Sequence, residues 1–505
     1  MEDTSRWLTP LLILLLGTCV RAQTPDRELR GVWMASVLNI DYPQNATPAA
    51  ATLRADFDSQ LFRLRQMGIN VIYLQVRPAG DALYNSRLAP WSKWLSGQQG
   101  KAPVSGFDPL AYAVEAAHRV GVEVHAWVNP YRVAMSTDIS QLAPNHLYFQ
   151  HPEWVRTYGN RMYLDPGLPA VREHLGTVID ELVQGYDLDG IHFDDYFYPY
   201  PRAGEPFPDS LSFAQYGGAQ SLANWRRNNV NTFVAETHRR IKAAKPWIQF
   251  GVSPFGVWRN QRQDPVTGSA TRASVSSYDD LFGDALAWAR SGTVDYLLPQ
   301  LYWSMDYAPA SHRILADWWA KHTPASVDLL VGHAAYKVND NAADTVWYDP
   351  QEIPRQIANS RRLDRMSGSV YFSTRSLLNG PAELQRSLRQ AYQSPALLPA
   401  RRTANPVANV RVKTRKPRKT EAGNLVVWDI DKDLPEEELP HYYAIYRRAG
   451  KSGDFEMVHR TPYGMKCRRL NFLDAFPVAD TRFTYRVVPM DRWHRAMVGE
   501  GLLAR

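Results

Sequence analysis

The sequence predicts an α/β protein built as a (β/α)₈ barrel, followed by a small all-β sandwich of the immunoglobulin type. Three observations predict this fold. The chain has 505 residues, which is too long for one ordinary hydrophobic core. Short apolar runs alternate with amphipathic segments over most of its length. Over about the last 100 residues, apolar and polar residues instead alternate with a period of two, which is typical of a β-sandwich.

Eight apolar runs predict the strands of the barrel. Such runs, separated by helical patterns, indicate a parallel sheet buried on both faces. Eight units over about 370 residues predict closure into a barrel. An open doubly wound sheet is the alternative, but no Gly-rich phosphate loop follows any of the runs. The predicted strands are 30–37, 69–76, 122–128, 188–194, 248–253, 294–301, 328–333 and 369–374.

The N-terminus resembles an export signal. Arg6 precedes an apolar stretch, Trp7 to Val20, which is too short for a membrane span and leads to a small-residue cleavage site at Ala22. We predict that residues 1–22 are a cleaved signal peptide, with lipid attachment at Cys19 as the less favoured alternative because the residues before it form an imperfect lipobox. The protein is then expected to be exported, to the periplasm or the cell envelope.

The remaining chain divides at a Pro-containing segment. We predict the barrel over residues 28–392, a linker over 393–405 and the β-domain over 406–505. Short alternating strands are predicted at 410–412, 425–428, 442–447 and 483–488. Their aromatic positions resemble the fibronectin type III pattern.

Composition and charge limit the class of ligand. The 16 Trp and 26 Tyr provide flat amphipathic rings of the kind that stack on sugars, although such rings also fill cores. The net charge is +7, with a basic run from Arg411 to Lys419. This run is either a solvated loop or a surface attracted to an anionic envelope polymer. Nucleic acid is not expected, because no recognition motif accompanies the charge.

The candidate site follows from the predicted strand ends. Functional residues of such barrels lie at the C-terminal ends of the strands. The polar and aromatic residues there can bond hydroxyl groups and stack on rings, and we predict a glycan ligand. No His-x-Glu-x-x-His motif or Cys cluster predicts a metal, and no cofactor is expected. The predicted substrate-binding residues are Trp33, Asn39, Asp41, Gln75, Arg77, Asp81, Trp127, Asn129, Tyr131, Arg132, His192, Tyr196, Tyr198, Ser253, Gln300, Tyr302 and Trp303.

The fourth predicted strand carries the predicted catalytic residues, Asp194 and Asp195. Alternation directs Ile191 and Phe193 toward the helices, and His192 and Asp194 toward the barrel interior. Two adjacent carboxyl groups raise each other's pKa, so that one can stay protonated near neutral pH. Glycoside hydrolysis needs one acid to protonate the leaving oxygen and one carboxylate to stabilise or attack. A helix-capping or metal-binding pair is the structural alternative.

Six groups of motifs at the predicted strand ends carry a family resemblance. They are Arg30–Trp33 with Asn39–Asp41, Gln75–Pro78 with Gly80–Ala82, Trp127–Pro130, Asp189–Pro199, Gly251–Gly256 and Pro299–Trp303. Through these motifs the barrel sequence, over about residues 28 to 390, resembles the glycosyl-hydrolase-like 10 family of bacterial envelopes. That resemblance implies an exported glycosidase, and the family includes enzymes that cut peptidoglycan strands lacking stem peptides. The Asp-Asp pair is also similar to enzymes in which the substrate's N-acetyl group attacks the anomeric carbon, whereas Asp194 alone resembles the nucleophile of α-amylase-type barrels.

The amino-acid sequence alone leaves three functions open. The first is a glycosidase for N-acetylated envelope glycan, above all peptidoglycan strands lacking stem peptides. The second is a glycosidase for another polysaccharide that pairs Asp194 with a distant carboxylate such as Asp306. The third is a non-catalytic glycan-binding protein, which the intact acid pair disfavours.

Overall fold

The computed structural model describes residues 25–340, 343–431, 434–435, 438–450, 452–465, 467–475 and 481–497. The predicted signal peptide and Cys19 lie outside these residues. Within the described part of the chain, no helix combines the length and apolar character needed to cross a membrane.

Eight parallel strands close into a barrel, which confirms the predicted fold class. Each strand pairs with its neighbours in chain order, and the last strand pairs with the first, with Gly31 opposite Val370. The strands are β1 (Leu29–Met34), β2 (Val71–Arg77), β3 (Glu123–Val128), β4 (Gly190–Phe193), β5 (Gln249–Val252), β6 (Tyr296–Leu297), β7 (Asp328–His333) and β8 (Met366–Tyr371).

Side chains alternate between the two faces of each strand, so the barrel has an outer apolar layer against the helices and an inner apolar layer. Phe193 lies in the outer layer, where its ring stacks on Phe233 of a surrounding helix at 5.4 Å. His192 lies inside the barrel, near Tyr73 and Tyr296. Glycine makes room for these interior rings, because a Cβ atom on Gly190 would lie 2.3 Å from the ring of His125.

The helices cover the barrel and begin at recognisable caps. Asp108 caps one of them by accepting hydrogen bonds from two backbone N–H groups, and a proline follows it in the first turn. Ser221 and Ser311 cap two others, each by accepting a hydrogen bond from one backbone N–H group. The α-helices are Ala50–Gln66, Lys93–Ser96, Pro109–Arg119, Leu147–Gln150, Pro169–Gly185, Ser210–Tyr216, Leu222–Ala244, Ala285–Ser291, His312–His322, Glu352–Arg361, Thr374–Leu378 and Ala382–Ala391.

A small antiparallel sheet is inserted between β3 and β4. Its strands are Arg132–Ala134, Val155–Tyr158 and Arg161–Leu164, with the last in the centre. Arg132 and Arg156 both lie opposite Tyr163. The insertion therefore adds a wall on the side of the barrel where β3 and β4 end.

The C-terminal region is all-β, as predicted. Val426 and Trp428 from one sheet share an apolar core with Tyr443, Ile445 and Val487 from the other. The two sheets therefore pack face to face, and the relation to fibronectin type III domains stays a prediction. The strands are Val412–Thr414, Arg418–Thr420, Gly423–Ile430 and Arg469–Asp474 in one sheet, and Tyr442–Ala449, Glu456–Arg460 and Phe483–Met490 in the other.

The predicted linker and the β-domain lie against the barrel where its strands begin. Leu398 packs into the apolar interior at this end. Arg401 is buried and its guanidinium lies 2.5 Å from the carboxylate of Glu123, the first residue of β3. His494 of the β-domain lies 2.8 Å from the same carboxylate. Ala396, Leu397, Leu398 and Arg401 of the predicted linker are therefore packed against the barrel, whereas residues 393–395 and most of 402–405 are exposed.

Candidate active site

Asp194 lies at the mouth of the barrel, directly after β4. Asn129 donates a hydrogen bond to one of its carboxylate oxygens at 3.1 Å, and Gln300 donates to the other at 3.2 Å. The backbone N–H of Asp195 donates to that second oxygen at 2.9 Å. These three N–H donors suit an ionised carboxylate, which only accepts hydrogen bonds.

Asp195 is almost fully buried beside it. Burial, and then the negative charge of Asp194, raise the pKa of the Asp195 carboxyl well above the usual range of an aspartate. The hydroxyl of Tyr200 donates a hydrogen bond to Asp195. The two neighbouring acids therefore differ: the raised pKa of Asp195 favours its protonated form, while Asp194 lies among N–H donors. Glycoside hydrolysis requires such a division between an acid and a carboxylate.

The amides that hold Asp194 are themselves fixed. Gln75 at the end of β2 donates to the side-chain oxygen of Asn129 at 2.6 Å, and its own oxygen accepts from the backbone N–H of Ser36 at 2.9 Å. Gln300 also donates to the carbonyl oxygen of Ser253 at 3.0 Å. The amide donors are thereby oriented before any ligand binds, which lowers the cost of organising the site.

A buried polar layer supports the mouth from below. The indole N–H of Trp33 donates to Nε2 of His192 at 3.1 Å, and Ser253 Oγ lies 3.1 Å from the same nitrogen. His192 Nδ1 lies 3.0 Å from the hydroxyl of Tyr296. Burial lowers the pKa of His192 well below its usual value, so that this imidazole is neutral. His192 therefore orients its neighbours and is not placed to exchange protons with a substrate.

Aromatic residues surround the acid pair. The hydroxyl of Tyr196 accepts a hydrogen bond from Asn129 at 3.1 Å, and the guanidinium of Arg132 lies 4.7 Å from the centre of the Tyr196 ring. Tyr302 and Trp303 are partly exposed, as stacking platforms need to be. Trp127 is buried in the barrel interior instead, in one cluster with Trp33.

Several predicted substrate-binding residues do not reach the mouth. The Asp41 carboxylate accepts from Ser373 at 2.8 Å, and thereby joins the segments after β1 and β8. The Asn39 side chain bonds two backbone carbonyls. Asp81 is buried and accepts from Gln99 at 3.1 Å. Three others, Arg77, Tyr131 and Tyr198, are fully buried.

A slipped register explains the position of Arg77. The pairing of β2 with β3 shifts between Gln75 and Arg77, so that Arg77 lies opposite Val128 of the outer layer. Tyr131 also lies outside the barrel, where its ring packs on Phe233. Alternation from the preceding strand does not give this placement.

Two residues of the site were missed by sequence reasoning. Tyr200 follows a proline in the loop after β4, where strand alternation no longer applies, although its place five residues after Asp195 was a usable signal. Arg161 lines a cavity together with Tyr196 and Tyr200, and it belongs to the inserted sheet, which has no strong apolar pattern. Among the described residues, no group of three or more His, Cys, Asp or Glu side chains is arranged to hold a metal ion.

Comparison with known proteins agrees with this architecture. The family model described as Glycosyl hydrolase-like 10 matches residues 28–349. Glycosyl hydrolase YngK of Bacillus subtilis is 41% identical to this chain over 504 residues, which cover 96% of both chains. Glycosyl hydrolase DigH of Escherichia coli K12 is 36% identical over 385 residues, covering 72% of this chain and 86% of that protein. The expected resemblance is thereby confirmed, and the chain belongs to the glycosyl hydrolase-like 10 family.

Proposed function

We propose that this protein is an exported glycoside hydrolase that cleaves N-acetylated bacterial envelope glycan, with peptidoglycan strands lacking stem peptides as its substrate. The observation that carries the proposal is the unequal acid pair. Asp195 has a raised pKa, and Asp194 accepts three hydrogen bonds at the mouth of the barrel. Membership of a glycosyl hydrolase-like family supports the reaction class, and the apolar segment ending near Val20 supports export.

In this mechanism Asp195 is the general acid. It donates its proton to the glycosidic oxygen as the bond to the anomeric carbon breaks. The carbonyl oxygen of the substrate's 2-acetamido group attacks that carbon, and Asp194 accepts the hydrogen bond of the acetamido N–H. Water then opens the cyclic intermediate, with Asp195 now acting as the base. Direct attack by Asp194 is the alternative chemistry for the same pair.

The first prediction tests the pair by single substitution. We expect Asp194→Asn and Asp195→Asn each to lower kcat about 10²–10⁴-fold, which is the usual contribution of acid–base catalysis. Asp306→Asn is the matched control, because Asp306 is exposed and paired with Arg313 at 3.1 Å. The measurement is release of reducing ends from purified peptidoglycan strands without stem peptides, followed by mass analysis of the products.

The outcomes separate the candidate functions. Unchanged rates in both acid variants would refute the catalytic assignment. Binding without product release by the wild-type protein would favour the non-catalytic glycan-binding protein. Turnover of a different polysaccharide, with none on peptidoglycan strands, would keep the reaction class and overturn the substrate. The exposed, paired state of Asp306 speaks against its role as the second carboxylate.

A further inference from the structure

A basic cavity of about 360 Å³ opens beside the acid pair. Among the described residues that line it are three arginines and four tyrosines, and none is acidic. Two of the tyrosines belong to the candidate site as well. Tyr200 donates to Asp195, and Tyr196 accepts from Asn129, which also donates to Asp194. A sugar bound across the acid pair would therefore extend into this cavity.

The three arginines differ in what already holds them. Arg202 forms an ion pair with Glu205 at 2.6 Å and is neutralised. Arg132 is buried, donates one hydrogen bond to the carbonyl oxygen of Pro78 at 3.1 Å, and leaves its Nε without a partner among the described residues. Arg161 is partly buried, and within the same part of the chain its side chain has neither an ion pair nor a hydrogen bond.

Arg132 and Arg161 face the same cavity with the same charge. Burial lowers the pKa of Arg132, the positive charge of Arg161 lowers it further, and Asp194 acts in the opposite direction. Two incompletely neutralised guanidinium groups favour an anion between them, and the planar fork of arginine fits a carboxylate by paired hydrogen bonds.

We propose that this cavity binds a carboxylate carried by the sugar next to the scissile bond, through Arg132 and Arg161. The inference rests on the proposed function and specifies its substrate. In peptidoglycan, alternate sugars carry a lactyl group, and the stem peptide is joined to its carboxyl group by an amide bond. The lactyl carboxylate is therefore free and negatively charged only where the peptide has been removed. Recognition of that charge would select strands lacking stem peptides.

The test compares glycans that differ only in charge. Strands without stem peptides are used as they are, or after conversion of the lactyl carboxylates to methylamides. The variant is Arg161→Gln, and Arg239→Gln on the exposed face of helix Leu222–Ala244 is the control. Initial rates give kcat and KM, calorimetry gives Kd, and circular dichroism checks the fold.

We expect the wild-type protein to bind the charged strands at least about tenfold more tightly than the amidated strands, as for a lost hydrogen bond to a charged group. Arg161→Gln should raise KM and Kd on charged strands by that factor and change neither on amidated strands. The inference would be overturned if the wild-type protein bound both glycans with equal affinity, or if Arg161→Gln weakened the binding of charged and amidated strands equally. Either result would leave hydrolysis in place. If neither glycan is hydrolysed, the proposed function fails, and the Kd comparison still decides whether the carboxylate is recognised.

Discussion

At the scale of single residues, burial and Asp194 favour the protonated form of Asp195, and the hydrogen bond from Tyr200 opposes them. This bond lowers the pKa of Asp195, whereas burial and Asp194 raise it. A general acid works while it is protonated, so activity is lost as pH rises through the pKa of Asp195. The alkaline limb of the pH–rate profile therefore reports on this carboxyl group.

The second prediction concerns Tyr200→Phe. Without the hydroxyl, the ionised form of Asp195 loses a hydrogen bond, its pKa rises, and the alkaline limb of the kcat profile should move to higher pH. Tyr216→Phe is the control, because Tyr216 is exposed on the helix Ser210–Tyr216. A limb that moves to lower pH, or stays in place, would contradict the assignment of Asp195 as the acid.

The sequence was informative where strands end and less so beyond them. Asn129 and Gln300 were expected at strand ends, and both bond Asp194 in the structure. Tyr131 and Tyr198 were chosen from segments beyond strand ends, and both are buried in the outer layer. Arg77 does not line the mouth because the register of β2 against β3 shifts locally, and the amino-acid sequence does not reveal such a shift. Loop conformation and register shifts depend on tertiary packing, which periodicity does not encode.

At the scale of elements, all eight barrel strands were predicted, but the bounds of seven of them differ from the prediction. β7 matches its predicted range, 328–333, whereas β6 was expected over 294–301 and spans only Tyr296–Leu297. Pro299 lacks the N–H group that a continuing ladder needs. Pairing resumes at Gln300 as isolated bridges to Phe255 and Gly332. The backbone of Gln300 is thereby fixed by its neighbours, and its side-chain amide donates to Asp194.

The third prediction tests how glycines shape the barrel interior. Gly190→Ala places a Cβ atom 2.3 Å from the ring of His125, which packs among the rings under the site. We expect a loss of about 1–3 kcal/mol in the free energy of unfolding, as for overpacked cores, together with reduced kcat. Chemical denaturation and kinetics measure the two effects. Gly185→Ala is the control, because within the described part of the chain nothing beyond its own helix backbone lies within 4 Å of the added group, and stability should be unchanged or slightly raised.

At the scale of the whole molecule, one buried carboxylate joins the barrel to the C-terminal region. Burial acts to raise the pKa of Glu123, but Arg401 and His494 outweigh it and hold the pKa well below the usual range. Arg460 and Tyr463 add hydrogen bonds to backbone carbonyls of the loop before β3 and of the preceding helix. The β-domain is therefore a structural partner of the barrel as well as a candidate attachment module.

The fourth prediction is a double-mutant cycle across this contact. Arg401→Met should lower the free energy of unfolding by about 3–5 kcal/mol, because it leaves the buried charge of Glu123 without its main partner. Adding Glu123→Gln removes that charge and should restore part of the loss. Denaturant unfolding of the wild-type protein, of each single variant and of the double variant measures these changes in stability. KM should stay unchanged. Strictly additive effects would show that the two side chains do not stabilise each other.

The fifth prediction concerns the exposed basic run. Replacing Arg411, Lys413 and Lys416 by Gln should weaken binding to insoluble anionic cell-wall material at low salt. The difference should fade at high salt, because the screening length is about 8 Å at physiological ionic strength. Co-sedimentation over a salt series measures it. The control replaces Arg239, Arg290 and Lys321, which are also exposed, and changes the net charge equally. Equal weakening by both triple variants would assign the effect to net charge alone.

Strand β3 begins at Glu123, which pairs with the C-terminal region, and ends at Val128, directly before Asn129, whose side-chain amide donates to Asp194. The strand is six residues long and spans roughly 20 Å, so that the two contacts lie at opposite ends of the barrel. Residues at one end of the strand hold the C-terminal region, and the residue after its other end holds the acid pair. Evolution can therefore alter the contact with the C-terminal region through one end of β3 while the residues that bond Asp194 stay the same.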